Sequence, residues 1–138
     1  MLVLLYLFIA PSFSRSQVQT QKPVYATFDQ NIKGYYESLP VNYSSQPTKK
    51  FPMIVFLHGN GERGDGSPAQ ITRVLTNGPP KLISQGKFPS SFTVGGESFS
   101  FIVISPQSKE PANYISSIDS LIKYCIAKYR VDEDRIYL

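Results

Sequence analysis

The run His58-Gly59-Asn60-Gly61-Glu62-Arg63-Gly64-Asp65-Gly66 alternates glycine with polar and charged residues. Residues without bulk let backbone N–H groups come close to a ligand. Acyl transfer builds negative charge on the former carbonyl oxygen, and one well-aimed donor there is worth about 3 kcal/mol of barrier. The main-chain N–H of Asn60 is the first candidate donor and that of Gly61 the second, so the side chain at Asn60 matters little. His58 reads as loop support acting through hydrogen bonds rather than as a base. Glu62, Arg63 and Asp65 read as loop-bracing ion pairs, with Arg63 also a candidate to face substrate.

Such a loop needs a strand to deliver it. The apolar run Met53 to Leu57, preceded by Pro52 and stopped by Gly59, has the length of a strand buried on both faces, as in a parallel sheet. Ligands of open α/β sheets sit beyond the carboxyl ends of such strands. Upstream, Val24 to Phe28 and Tyr35 to Leu39 are rich in β-branched and aromatic residues and read as an antiparallel entry hairpin. Downstream, the pattern predicts a short helix over Pro80 to Gln85, ending near Gly86. An irregular excursion follows over Phe88 to Ser100, then a strand over Phe101 to Ile104 stopped by Pro106. A helix over Asn113 to Tyr129 comes next, with a third buried strand over Ile136 to Leu138. Ile118, Leu121, Ile122, Cys125, Ile126 and Tyr129 recur at helical spacing, the mark of a face packed on a sheet. Cys125 therefore reads as a buried packing residue. Asp132, Glu133 and Asp134 read as an acidic turn. Alternating strands and helices imply parallel crossovers, hence an α/β fold with a mostly parallel sheet and an antiparallel N-terminal hairpin.

Phe56 to Gly66 resembles the strand-to-oxyanion-loop passage of the α/β-hydrolase superfamily. It is similar in particular to the secreted esterase and predicted-peptidase group related to polyhydroxybutyrate depolymerases and feruloyl esterases. Gly78-Pro79-Pro80-Lys81-Leu82-Ile83, Phe101-Ile102-Val103-Ile104-Ser105-Pro106-Gln107 and Tyr129 to Leu138 follow in that family's order, so the likeness spans roughly residues 35 to 138. It implies that residues 17–138 are the N-terminal part of a hydrolase domain, truncated before the nucleophile elbow. The catalytic Ser, Asp or Glu, and His are then expected beyond Leu138. No Gly-x-Ser-x-Gly occurs here, and His58 is the sole histidine, so the chain as written is expected to be inactive. The implied substrate is a small-molecule, polysaccharide-linked or polymeric ester. A peptidase, or a non-catalytic secreted binding or adhesion module on the same fold, is the alternative.

Leu2 to Ala10 is a short apolar stretch followed by Pro11 and small residues. Residues 1–16 accordingly read as a signal peptide, too short to span a bilayer, although no Lys or Arg precedes the apolar run. The mature protein would start near Gln17 or Gln19 and be secreted or periplasmic, with no stable membrane anchor. The net charge of +4 is spread along the chain, densest at Lys49-Lys50, which argues against nucleic acid. With one cysteine, no internal disulfide can form. Glu62 and Asp65 lack the alternating spacing of a calcium loop, so no metal and no cofactor are expected. Arg63-Gly64-Asp65 spells an adhesion tripeptide inside a better-explained motif, and Asn42-Tyr43-Ser44 is a formal glycosylation acceptor.

Overall fold

The computed structural model describes residues 17–110 and 114–138. The expected signal peptide lies outside the described residues. Five strands form one sheet: β1 (Gln21–Val24), β2 (Ile32–Ser38), β3 (Phe51–Val55), β6 (Ile102–Ser108) and β7 (Val131–Tyr137), in the order β1-β2-β6-β3-β7. β1 with β2 and β2 with β6 are antiparallel; β6 with β3 and β3 with β7 are parallel. The sheet is thus evenly mixed rather than mostly parallel, because β2 pairs with the central strand β6 as well as with its hairpin partner. The helices are α1 (Gly78–Ser84) and α2 (Tyr114–Lys128).

Alternation along the central strands divides the core in two. Met53, Val55, Ile102 and Ile104 pack with Ile118, Leu121 and Cys125 of α2, the stripe expected from the sequence. Val103 and Ile54 point to the other face, against Ile83 of α1 and Phe88. There Tyr36 also meets Ile71 and Val74 of a 3-10 turn over Ile71–Thr76. Burial pushes the Cys125 thiol up to about 12, so it stays protonated and inert.

Several boundaries move for physical reasons. The first strand runs Gln21–Val24 and not Val24 to Phe28; past it, Asp29 accepts hydrogen bonds from the N–H groups of Asn31 (2.7 Å) and Ile32 (2.9 Å) and turns the chain into β2. β3 starts at Phe51. Pro52 fits within it because it precedes the first pairing with β6 and falls at the irregular step between the pairs Phe51 with Val131 and Met53 with Ile136. Pro106 does not stop β6. The Ile104 carbonyl faces β3, where it accepts the Phe56 N–H at 2.8 Å, so Pro106 faces the same side two residues on, past the last β3 residue. Its missing N–H costs no ladder bond. Phe88 to Ser100 contains a hairpin, β4 (Phe92–Val94) and β5 (Glu97–Phe99), turned by Gly95 and Gly96 at φ 59° and 84°. The acidic segment is no separate turn but the irregular part of β7, where Asp132 accepts from the Asp134 N–H (3.2 Å) and from Arg135 (2.7 Å). β7 is not fully buried either: Tyr137 is 50% exposed, and Leu138, just past the strand, is 74% exposed.

Candidate functional site

Where β3 ends, β6 runs on with a free edge, and the glycine loop takes that edge. Ser108 donates its backbone N–H to His58 Nε2 at 3.0 Å, and the Ser108 carbonyl accepts the Gly64 N–H at 3.1 Å. A backbone N–H can only donate, so Nε2 is the acceptor and the ring proton sits on Nδ1, which donates to the Gly59 carbonyl at 2.7 Å. Both ring nitrogens of His58 are therefore committed to backbone.

The Ser108 hydroxyl also lies 3.1 Å from His58 Nε2, the spacing of a nucleophile and its base. Two facts disqualify the pair. Ser108 is 3% exposed, leaving no approach for a substrate, and Nδ1 meets a backbone carbonyl where a catalytic histidine meets a carboxylate. The pair is a tether.

The loop's second anchor is Gln107, fully buried on β6. Its Nε2 donates to the carbonyls of Glu62 and Gln70, both at 2.9 Å, and its Oε1 accepts the Gly66 N–H at 3.0 Å. All three partners lie far away in sequence, so no local pattern could single out this residue from the Ser-Pro-Gln run. Glu62 is buried as well and accepts from the Asn77 side chain, just ahead of α1. Gly78, at φ 62°, lets α1 begin against the Phe56 ring, which a Cβ would meet at 2.3 Å.

Between these anchors a 3-10 turn covers Asn60–Glu62, led by Gly59 in extended conformation. Glu62 donates back to the Gly59 carbonyl at 3.3 Å, whereas the N–H groups of Asn60 and Gly61 have no partner among the described residues. Both residues are exposed. They open the turn, the place where backbone donors go unsatisfied. Two adjacent amides without a partner among the described residues thus belong to exposed residues of a firmly held loop at the carboxyl end of a central parallel strand. That geometry suits binding of an oxyanion.

The expected ion pairs are replaced by hydrogen bonds. Among the described residues, Glu62, Arg63 and Asp65 form no ion pair. The Arg63 carbonyl accepts from Arg73 at 2.9 Å, and its guanidinium meets no carboxylate. The hydroxyl and N–H of Ser67 bind the Asp65 carboxylate and hold its pKa below the usual range. Burial of Glu62 explains the substitution: an amide partner satisfies it without bringing a second charge into the interior. Among the described residues no cluster of three His, Cys, Asp or Glu side chains exists that could hold a metal ion, and no helix is long and apolar enough to cross a membrane.

No protein-family model matches the chain, and no curated protein matches it. Among solved structures, the chain is similar to a crystal structure of a thermostable esterase, with a TM-score of 0.47 and 19% identity over 86% of this chain and 32% of that one. The chain spans about a third of that structure's length.

Proposed function

We propose that residues 17–138 are the N-terminal part of an exported α/β-hydrolase domain that supplies the oxyanion loop for carboxylic ester hydrolysis. The single observation that carries this reading is the pair of amides at exposed Asn60 and Gly61, without partners among the described residues, on a loop tied down by His58 and Gln107. The substrate is a small-molecule or polymer-linked ester. In the proposed route a serine attacks the ester carbonyl, the C–O bond breaks, the alcohol leaves, and water then hydrolyses the acyl-enzyme to release the acid; the amides of Asn60 and Gly61 stabilise the oxyanion of each tetrahedral intermediate. The serine, its histidine and the acid belong to polypeptide following Leu138, because His58 has no nitrogen free to act as base and Ser108 is sealed. Arg63, half-buried beside the turn and without an ion pair among the described residues, is our candidate to contact the substrate's acyl or leaving group.

The reading is tested by removing an amide without removing the turn. Gly59 is extended, as a residue before proline must be, and Asn60 opens the 3-10 turn, where proline is tolerated. In the protein extended along its reading frame, Asn60→Pro should lower kcat by about 10²- to 10³-fold, whereas Asn60→Ala should leave it nearly unchanged. Equal effects of the two variants would overturn the oxyanion role. A reading frame without Gly-x-Ser-x-Gly close after Leu138 would remove the hydrolase itself.

A further inference from the structure

The peptide unit that joins Ser108 to Lys109, at the end of β6, is gripped from both edges of the strand. In a planar trans peptide the C=O and the N–H point in opposite directions. Toward the glycine loop, the Ser108 carbonyl accepts the Gly64 N–H at 3.1 Å. Toward β2, the Lys109 N–H reaches the Asn31 carbonyl at 3.2 Å and the Asn31 Oδ1 at 2.9 Å. Ile32, the first residue of β2, pairs with Ser108, the last of β6, so Asn31 stands where the ladder stops.

Past that point the Asn31 side chain takes over from the ladder. Its Oδ1 also accepts the Glu110 N–H at 2.8 Å, and its Nδ2 donates to the Glu110 carbonyl at 3.0 Å. One amide side chain thus serves the Lys109 N–H and both backbone groups of Glu110. Asn31 is itself fixed: it is 9% exposed, and its N–H donates to Asp29 Oδ1 at 2.7 Å. Asp29 Oδ2 accepts the Ser117 hydroxyl of α2, which ties the same turn to the helix. A planar peptide cannot turn its N–H without turning its C=O. What holds the Lys109 N–H therefore sets where the Gly64 acceptor points.

We propose that Asn31 is a positioning residue for the amides of Asn60 and Gly61, acting through the Ser108–Lys109 peptide and its bond to Gly64. The Asn31 side chain bonds Lys109 and Glu110 and no residue of the glycine loop, so its influence on the loop passes through that peptide. A displacement of about 1 Å in a catalytic group can cost about 10²-fold in rate, so an anchor held on both edges matters to a loop that carries oxyanion donors. The catalytic consequence rests on the proposed hydrolysis; the mechanical link from Asn31 to Gly64 does not.

Amide hydrogen exchange in the ¹⁵N-labelled full chain tests the link. Asn31→Ala should speed exchange of the Gly64 N–H about tenfold, the worth of one hydrogen bond, and leave the Phe56 N–H, bonded to Ile104 further back along β6, as in the wild type. Asn31→Asp keeps an oxygen for the N–H groups of Lys109 and Glu110 and should restore most of the protection. Gly96→Ala, in the β4–β5 hairpin, is the reference for general destabilisation and should leave Gly64 unmoved. In the protein extended along its reading frame, Asn31→Ala should lower kcat about tenfold at unchanged KM, with Asn31→Asp near the wild type. Wild-type exchange at Gly64 in Asn31→Ala, an equal rise at Phe56 or in Gly96→Ala, or an Asp variant as loose as the Ala variant would each overturn the inference. So would faster exchange with kcat unchanged in an active extended protein. An extended wild type without esterase activity overturns the hydrolysis instead, and the exchange result alone then decides the link. Where circular dichroism shows Asn31→Ala unfolded, Asn31→Ser, whose hydroxyl is too short to serve both Lys109 and Glu110, is measured in its place.

Discussion

Two glycine-rich segments, Gly59 to Gly66 and Gly95-Gly96, look alike in sequence and are physically opposite. Gly95 and Gly96 have positive φ with nothing within 4 Å of a hypothetical Cβ, so glycine serves there only to permit a backbone conformation. In the longer segment glycine serves close approach. A Cβ on Gly64 would stand 2.5 Å from the Gln107 amide, one on Gly66 2.6 Å from the Gly34 nitrogen, and one on Gly59 2.9 Å from a Glu62 carboxylate oxygen. The loop that would pass for the most flexible part is among the most heavily tethered. Gly61 fits neither class, since its φ is not positive and nothing crowds it. What its missing side chain leaves is open space next to a backbone amide that has no partner among the described residues.

The largest effect is expected from the anchor itself. Gln107→Leu leaves the Gly66 N–H and the Glu62 carbonyl buried without partners, while the Gln70 carbonyl keeps only the Arg73 N–H, which together should cost about 4 kcal/mol in urea unfolding. Gly66→Ala combines positive φ with a backbone clash and should cost about 3 kcal/mol by the same measurement. At Gly96 only the φ penalty applies, so Gly96→Ala should cost about 1 kcal/mol, read as a small shift of the thermal midpoint. Gly61→Ala should stay within about 0.5 kcal/mol of the parent. Equal costs at positions 66 and 96 would break the distinction between glycine for approach and glycine for conformation.

Local pattern made the core elements legible. Met53 to Leu57 announced a buried strand, and Ile118, Leu121 and Cys125 announced the face of α2 that covers it. Its failures share a cause, which is that the deciding partner lies elsewhere in the chain. Pro106 reads as a stop until β3 is known to have ended on the side it faces. Whether β2 would pair with β6 could not be read from a hairpin signal. The β4–β5 hairpin is the exception, because Gly-Gly between Phe-Thr-Val and Glu-Ser-Phe is a local signal. At the candidate site, glycine spacing pointed to Asn60 and Gly61. The inward turn of Glu62 and the roles of Gln107 and Ser108 depend on contacts 15 to 50 residues away in sequence.

Gly34 and Gly66 meet backbone to backbone: a Cβ on either would lie 2.6 Å from a main-chain atom of the other. Neither position can be rescued by trimming its neighbour, since both are already at the smallest residue available. Drift at one site therefore has no compensating change at the other short of moving β2 away from the loop. Any descendant that keeps this crossing must keep both glycines, so the pair would persist as an architectural signature whatever became of the loop's exposed turn.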